Sequence, residues 1–275
     1  MHFHGTLIPD KPPLYLGIYV DDTIYFSADP TVEKEFETRL SSKTTTDFMR
    51  KASHFLGIKF QWEITNARVS VYMSQEAFCD RIIHESNLDN TASNTKASPF
   101  RSGHPVDSTK HADMTPTARS TLKQQLQSVI GSLLWLSQAT RPDLSVITSI
   151  LAQRQSNPSP GHLAAAKYVI CYLKGTKSLG IAFHSDGNLN IQSFIHFPIP
   201  NLKVHLHAPS DANWGLQYQS IPNPQEPSEE VHLFKTQSIS GYLINLLGPL
   251  HWSANRQHIT ARSTAEAEID ATNEC

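Results

Sequence analysis

Near the start of the chain, two nearly continuous apolar runs flank a pair of adjacent aspartates. Residues 14–20 and 23–26 are rich in β-branched and aromatic side chains, and Asp21 and Asp22 stand between them. Runs of this composition prefer extended backbone, and aspartate tolerates the dihedral angles of a tight turn, so the pattern predicts a β-hairpin with two acids at its tip. The acids either only make the turn or bind a hard divalent cation, whose preferred ligands are carboxylate oxygens.

A helix and a second hairpin are predicted next. Asp29 and Pro30 indicate a helix start, because aspartate caps free amides and proline fits the first turn. The apolar stripe of this helix recurs every four residues at Val32, Phe36 and Leu40. An extended segment at 54–62 and an alternating strand at 68–73 then predict a hairpin that turns near residues 65–67.

Between residues 74 and 180 the apolar period changes to that of helices. Ser74 is expected to cap a helix ending near Asn87, and a Ser-, Thr-, Asn- and Pro-rich connection follows at about 90–116. Three further helices are predicted, with a break at Pro142 after the first, Ser159 and Pro160 opening the third, and Gly175 just past its end. The residues expected to face inward are Phe78, Ile82, Ile83, Leu122, Leu126, Val129, Ile130, Leu133, Leu134, Leu144, Ile147, Leu151, Leu163, Ala166, Val169, Ile170 and Leu173.

The last third of the chain has weaker patterns. One or two strands are expected within 181–206, a short strand at 204–208, and an exposed loop at 221–230 with three prolines. Residues 240–245 and 250–253 predict paired strands that turn at Gly248 and Pro249. Residues 263–271 have the composition of a helix start.

Composition places the chain among globular proteins. Its 275 residues are 39% apolar and 17% charged, and 23 basic against 25 acidic residues leave a net charge of −2. This balance does not indicate a nucleic-acid binder, although it allows a local basic groove. Cys79, Cys171 and Cys275 are far apart and odd in number, which favours a reducing, intracellular setting, either cytoplasmic or nuclear. No apolar run has the length of a membrane-spanning helix, so no membrane partner is expected.

Seven short motifs, in order along nearly the whole chain, resemble the pol region of copia-type LTR retrotransposons. Any one of them is weak by itself, and their order makes the resemblance specific. They lie at residues 19–22 (YVDD), 55–58 (FLGI), 126–136 with 140–143 (LQSVIGSLLWL and TRPD), 162–176, 210–214 (SDANW), 240–242 (SGY) and 264–268 (TAEAE).

The resemblance implies an α+β fold with three parts. Residues 1–73 would be the end of a reverse transcriptase palm, with the Asp-Asp hairpin and a hairpin like the primer grip. Residues 74–180 would form the helical thumb and connection, and residues 181–275 the first part of an RNase H-like α/β domain. The implied activity is RNA-directed DNA synthesis with ribonuclease H.

The resemblance also assigns site residues. Asp21 and Asp22 would be catalytic metal ligands of the polymerase, and Asp211 and Glu268 those of RNase H, with Mg²⁺ or Mn²⁺ as cofactor. Both reactions use two metal ions held by clustered carboxylates. Glu266 is the weaker choice, because two residues apart on a helix its side chain points away from that of Glu268. The residues that would grip the primer are Phe55, Leu56 and Gly57.

Both implied metal sites are expected to be incomplete. About twenty residues precede Asp21, which leaves no room for the palm strand that carries the family's first carboxylate. Further RNase H aspartates would lie beyond Cys275. Since missing carboxylates remove the charge that holds the cations, little or no polymerase activity is expected from the chain alone. The missing part of the Pol polyprotein is then an expected partner.

Two other hypotheses come from different classes. The chain is alternatively a non-catalytic remnant that binds an RNA–DNA hybrid or primer–template, or the product of a pseudogene with no selected role. In the first alternative, basic side chains meet phosphates, and otherwise they only form a solvated face. The candidate contacts are Lys167, Lys174, Lys177, Arg256 and Arg262.

Overall fold

The protein combines helices with antiparallel sheets, which confirms the predicted α+β class. The computed structural model describes residues 2–5, 7–49, 51–65, 68–87, 95–100, 114–186, 210–213, 217–222, 230–235, 239–245, 248–257, 268–269 and 271–272. The chain divides into two compact units, one made of 1–74 with 182–204 and the other of 75–181 with 205–275. The assignment of three functional parts at 1–73, 74–180 and 181–275 stays a prediction.

The first unit begins with a three-stranded antiparallel sheet. Its strands β1 (His2–Gly5), β2 (Leu14–Tyr19) and β3 (Asp22–Ser27) lie in the order β1-β2-β3. Tyr19 pairs with Asp22, so the predicted hairpin is confirmed. Helix α1 (Pro30–Ser41) packs on β3, where the ring of Tyr25 lies 4.9 Å from that of Phe36, and its Val32 is fully buried. Burial of Val32 stabilises α1, because a helix of this length has little stability by itself.

The start of α1 is held by Asp29, as predicted. Its carboxylate accepts hydrogen bonds from the Thr31 amide at 2.8 Å and from Lys11 Nζ at 2.6 Å. The hydrogen bond from Lys11, followed by those from Thr31, lowers the pKa of Asp29 from its ordinary 3.8 to about 2. The cap and the surface ion pair therefore both require the ionised carboxylate.

From this cap we predict that the stability of the protein falls at acid pH as Asp29 becomes protonated. Because the folded-state pKa of Asp29 lies below the unfolded value, its contribution to stability is present above pH 3.8 and is lost as the pH falls toward about 2. Asp29→Asn keeps a capping side chain but has no such titration. Thermal midpoints measured from pH 6 to pH 2 should therefore fall less steeply in the variant at the acid end. Parallel curves for the two proteins would contradict the assignment.

A second sheet of the first unit has the order β4-β5-β6-β7. It contains β4 (His54–Phe55), β5 (Ile58–Ile64), β6 (Arg68–Ser74) and β7 (Gly180–Asp186), whose residues from Ala182 onward belong to this unit. The predicted β5–β6 hairpin is confirmed, since Ile64 pairs with Val69. The turn position predicted at 65–67 lies partly outside the described residues.

The continuous extended segment expected at 54–62 is wrong. The backbone reverses at Leu56 and Gly57, whose φ values are +53° and +73°, and Phe55 pairs with Ile58 across the turn. Two consecutive residues with positive φ are typical of a type I′ hairpin turn. The sequence hides this turn because leucine stands at its first position, where asparagine or glycine is usual.

The second unit has a helical core. It consists of α2 (Glu76–Glu85), α3 (Pro116–Ala139), a 3₁₀ turn at Pro142–Leu144, α4 (Ser145–Ala152) and α5 (Pro160–Thr176), which confirms the predicted helices and the break at Pro142. None of the described helices is long and apolar enough to cross a membrane. The buried side chains that form the core come from all four helices and the turn: Cys79, Ile82, Ile83, Leu126, Ile130, Leu133, Leu136, Leu144, Ile147, Leu151, Ala166, Val169, Ile170, Tyr172 and Leu173.

Three local expectations about these helices are wrong. Ser74 does not cap α2, because it is still paired with Lys59 in the β5–β6 ladder and Gln75 takes the capping position. Gly175 lies inside α5 rather than past it, since the helix continues to Thr176. Leu134 is 37% exposed, whereas its neighbour Leu133 is fully buried.

The remaining strands of the second unit form two small antiparallel sheets. One has the order β12-β11-β8, from β8 (Ser210–Asn213), β11 (Ile239–Asn245) and β12 (Pro249–Arg256), and confirms the predicted pair near Gly248. The other pairs β9 (Gln217–Pro222) with β10 (Glu230–Lys235).

Some predictions for this part of the chain are corrected or lie outside the described residues. The loop expected at 221–230 is wrong at both ends, where Pro222 pairs with Glu230 in this ladder, and residues 223–229 lie outside the description. So do the strand expected at 204–208 and most of the connection at 90–116. Of the predicted helix start at 263–271, only 268–269 and 271 are described, and they are helical.

Candidate functional site

The hairpin tip presents both predicted metal ligands to solvent. Tyr19 and Asp22 form the last ladder pair, so Val20 and Asp21 make a two-residue loop. Asp21 and Asp22 are both exposed. Val20 is 85% exposed and has a φ of +53°, which is a strained conformation for a β-branched residue. Such strain persists only where the surrounding ladder imposes it, and it is a feature common at functional sites.

The chemistry of this tip fits a divalent cation in part. Two adjacent carboxylates supply hard oxygen donors of the type that Mg²⁺ and Mn²⁺ prefer. Within the described ranges, however, no group of three or more His, Cys, Asp or Glu side chains lies close enough to hold a metal ion. Asp21 and Asp22 therefore provide only part of a ligand set within the described residues.

The turn between β4 and β5 is the second predicted contact point. At Gly57 a Cβ atom would meet nothing within 4 Å, so the backbone faces open space. The strands that carry the turn are fastened locally, because the Trp62 indole donates a hydrogen bond to the Ala52 carbonyl at 2.8 Å. Leu56 has the strained positive φ, and Phe55 is half-buried. The geometry presents exposed backbone on a stiff support, and contact with a primer stays a prediction.

A buried polar network accounts for the Thr140–Asp143 motif. Arg141 is only 1% exposed, and its guanidinium donates to both carboxylate oxygens of Asp143, at 2.9 and 2.7 Å. It also donates to the carbonyl and hydroxyl oxygens of Thr176, each at 3.0 Å. Tyr172 donates its hydroxyl to Asp143 at 2.8 Å. Arg141 thus binds the carbonyl end of α5, where helices carry unsatisfied acceptors and partial negative charge.

The electrostatics of this network indicate a structural role. Burial disfavours the charged guanidinium, but the hydrogen bonds and the negative charge of Asp143 raise the pKa of Arg141 above its ordinary value. Burial also raises the pKa of the neighbouring Cys79 thiol to about 11, so that thiol is protonated and unreactive at neutral pH. Asp143 is therefore committed to internal partners rather than to a metal ion.

An exposed face of α3 was not expected from the sequence. Gly131 lies in the interior of this 24-residue helix, is exposed, and has nothing within 4 Å of the position of a Cβ atom. Glycine there costs about 1 kcal/mol relative to alanine, and no packing in the described structure requires it. One turn away, Leu134 and Trp135 are 37% and 38% exposed, and Gln127 lies one turn before. We call Gln127, Gly131, Leu134 and Trp135 the α3 stripe.

The signal for the α3 stripe was present in the sequence. A glycine within a strong helical pattern, flanked by an amide and a large aromatic residue at four-residue spacing, indicates that something approaches the helix closely. Periodicity alone assigned Leu134 to the core, because the residues on both sides of it, Leu133 and Leu136, are buried.

The predicted basic contacts that the structure describes lie on or next to α5 and in β12. Lys167 is exposed on α5 and, like Glu85, lines a cleft of about 440 Å³ between α2, α3 and α5. Lys174 lies two turns further along α5 and is half-buried. Lys177 forms an ion pair with Asp80 at 2.9 Å, which occupies its charge. The remaining two are Arg256, a half-buried residue of β12, and Arg262, which lies outside the described residues.

The structure describes the surroundings of the two predicted RNase H ligands, Asp211 and Glu268, only in part. Asp211 lies in β8, where it pairs with Gly241 of β11. Glu268 is exposed and helical, and its carbonyl accepts a hydrogen bond from the Thr272 hydroxyl at 2.8 Å. Glu266 lies outside the described residues. A metal site at Asp211 and Glu268 stays a prediction.

Comparison with known proteins gives one consistent result. The chain is 27% identical to the retrovirus-related Pol polyprotein from transposon RE1 of Arabidopsis thaliana over 259 residues, which cover 94% of this chain and 15% of that protein. It is 26% identical to the Pol polyprotein from transposon TNT 1-94 of Nicotiana tabacum over 263 residues, or 95% of this chain and 17% of that protein. The chain is related to retrotransposon Pol polyproteins. The resemblance inferred from the seven motifs is thereby confirmed.

The Pol-related chain spans only 15% to 17% of the length of these polyproteins. It is also 24% identical to the uncharacterized mitochondrial protein AtMg00810 of Arabidopsis thaliana over 259 residues, which cover 94% of this chain and 90% of that protein. No protein-family model matches the chain. No solved structure matches it significantly. Relatives of this sequence therefore include both a long polyprotein and a protein of comparable length.

Proposed function

We propose that the Pol-related chain is part of a copia-type reverse transcriptase, an RNA-directed DNA polymerase with RNase H. In this proposal it comprises the end of the palm, the thumb and connection, and the start of the RNase H-like domain. The observation that carries the proposal is the exposed Asp21–Asp22 pair on a tight two-residue hairpin. The similarity to Pol polyproteins over 94% or more of the chain supports it.

In the proposed polymerase, Asp21 and Asp22 would hold Mg²⁺ or Mn²⁺. Such ions activate the primer hydroxyl and stabilise the leaving pyrophosphate. The part played by this chain is to hold the two carboxylates forward on a short, laddered hairpin, where the ladder limits their motion. Because the described residues supply no third metal ligand nearby, we propose that further carboxylates of a Pol polyprotein complete the site.

Primer extension tests whether Asp21 and Asp22 need further metal ligands from outside this chain. We expect the purified chain to extend a primer on an RNA template no faster than a protein-free control, with either Mg²⁺ or Mn²⁺. Asp21→Asn and Asp22→Asn should then make no difference, and Asp10→Asn serves as a control at another exposed acid. Metal-dependent synthesis that is lost in the two hairpin variants but kept in Asp10→Asn would show that the chain carries a complete site.

The incomplete ligand set favours a second function for the isolated chain, which is to bind nucleic acid without synthesis. We propose the α3 stripe as the contact surface for an RNA–DNA hybrid. Gly131 lets a backbone approach the helix closely, and the exposed ring of Trp135 offers apolar area to sugars or bases. Gln127 adds an amide that both donates and accepts hydrogen bonds. Binding should weaken with salt, because contact with the phosphate backbone releases counterions.

Gly131→Ala is expected to separate stability from binding. The new methyl group raises helix propensity and should increase the free energy of unfolding by about 0.5–1 kcal/mol, while it should weaken binding of an RNA–DNA hybrid several-fold. Trp135→Ala should weaken binding about tenfold without raising stability. Fluorescence anisotropy with a labelled hybrid and thermal unfolding measure the two effects.

Thr121→Ala is the matched control for these variants. Thr121 is exposed on α3 away from the α3 stripe, and its replacement also raises helix propensity. It should therefore stabilise the protein slightly and leave hybrid affinity unchanged. Unchanged affinity in both Gly131→Ala and Trp135→Ala would remove the α3 stripe from the proposed interface.

A further inference from the structure

A cleft in the second unit has the composition of an anion site. It lies between the start of α3 and the segment that precedes α5, and its volume is about 410 Å³. Clefts of this size accommodate small organic ligands. The residues that line it are Met114, Pro116, Arg119, Ser120, Lys123, Ser156, Asn157 and Pro158. None of these side chains is acidic, although acidic residues slightly outnumber basic ones in the whole chain.

Two cations share one wall of this cleft. Arg119 and Lys123 are four residues apart on α3, so their side chains project from the same face of the helix, one turn apart. Both are exposed, and within the described part of the chain neither forms an ion pair. Two positive charges this close repel each other, and a shared anion between them relieves that repulsion. A planar guanidinium beside an ammonium suits phosphate oxygens.

The rest of the lining fits the other parts of a nucleotide. Ser120, Ser156 and Asn157 line the cleft with hydroxyl and amide groups, which suit ribose hydroxyls or further phosphate oxygens. Met114 and the buried Pro158 add apolar surface against which a sugar or base can pack. The start of α3 at Pro116 also lines the cleft and adds partial positive charge there.

We infer that this cleft binds the phosphate of a nucleotide, with Arg119 and Lys123 as its two cationic ligands. The nucleotide is either free or part of a strand that also contacts the α3 stripe, and only the second case rests on the proposed function. Arg119 lies twelve residues before Gly131 on α3, or roughly 18 Å along the helix axis, which is within reach of one bound strand.

The experiment compares three ligands on the intact chain. Inorganic phosphate, adenosine monophosphate and a short single-stranded oligonucleotide are titrated by calorimetry at low salt. The test variant is Arg119→Gln/Lys123→Gln. Its matched control is Lys34→Gln/Arg39→Gln on α1, which removes the same charge from two exposed residues of another helix. A second test variant, Ser156→Glu, places a carboxylate in the cleft and leaves both cations intact.

We expect both test variants to lose at least tenfold in affinity and the control variant to stay within twofold of the unchanged protein. A loss with adenosine monophosphate supports a free nucleotide as the ligand, and a loss with the oligonucleotide alone supports a strand. Equal affinities in all proteins, equal losses in the control, or binding of inorganic phosphate only would overturn the inference. Unfolding midpoints of the variants show whether they remain folded.

Failure of this inference can be told apart from failure of the proposed function. Trp135→Ala should weaken binding of the hybrid and leave binding of adenosine monophosphate unchanged, since Trp135 does not line the cleft. If Trp135→Ala has no effect on the hybrid while Arg119→Gln/Lys123→Gln still loses the mononucleotide, the cleft stands and the α3 stripe does not. If Trp135→Ala weakens binding of the hybrid while Arg119→Gln/Lys123→Gln still binds the mononucleotide normally, the result supports the α3 stripe and contradicts the cleft.

Discussion

Replacement of Arg141 by leucine is expected to lower the free energy of unfolding of the helical unit by about 3 kcal/mol. The substitution leaves the Thr176 carbonyl without its donor and removes both hydrogen bonds to Asp143, whose side chain is 33% exposed. Loss of one member of a buried charge pair is costly because the remaining charge stays partly dehydrated. Urea unfolding followed by circular dichroism measures the change.

Two further variants show whether the loss comes from the buried network. Arg39→Leu removes an arginine from an exposed pair with Glu35 at 2.7 Å, and should change stability by no more than about 0.5 kcal/mol. Arg141→Leu/Asp143→Leu removes both charges and should recover part of the loss, because no unpaired carboxylate remains. If Arg141→Leu cost no more than Arg39→Leu, Arg141 would not be the residue that holds the end of α5.

Replacement of Leu133 by alanine is expected to cost about 3 kcal/mol, the middle of the range for a buried leucine. Its side chain is fully buried in the helical core, so truncation leaves a cavity as well as losing apolar contact. Leu134→Ala, one residue further along the same helix, should change stability by less than about 0.5 kcal/mol, since that side chain is already 37% exposed. Thermal and urea unfolding of the two variants measure the contrast.

The same pair of variants also bears on function. Leu134 belongs to the α3 stripe, so Leu134→Ala should weaken hybrid binding although it leaves the fold intact. Leu133→Ala should affect binding only to the extent that the unit unfolds. Comparable losses of stability in the two variants would mean that the burial difference between these neighbours does not hold in solution.

Predictions from local signals were the most successful. The Asp29–Pro30 helix start, the break before Pro142 and the opening of α5 at Pro160 all rest on the backbone chemistry of one or two residues. The Asp21–Asp22 hairpin belongs to the same group, because its flanking strands are neighbours in sequence and close with a two-residue turn. Such elements need no information from distant parts of the chain.

Errors arose where a local signal was outweighed by a distant partner. Ser74 has the side chain of a helix cap, but its pairing with Lys59 keeps it in a strand. Gly175 is a common helix terminator, yet α5 runs on to Thr176, whose carbonyl accepts a hydrogen bond from the Arg141 guanidinium. In each case a hydrogen bond formed across the fold determines the outcome, and sequence pattern does not report it.

The order of short motifs was enough to reveal the relationship to retrotransposon Pol polyproteins and to select Asp21 and Asp22, because motif order and hairpin formation are properties of the chain itself. Other features are different in kind: the structural role of Arg141, the exposure of Leu134 beside the buried Leu133, and the cleft that Arg119 and Lys123 line. They depend on which surfaces meet when the helices pack, and packing depends on all the side chains at the contact together. Periodicity indicates that a helix has an apolar face, but only its neighbours determine where that face ends.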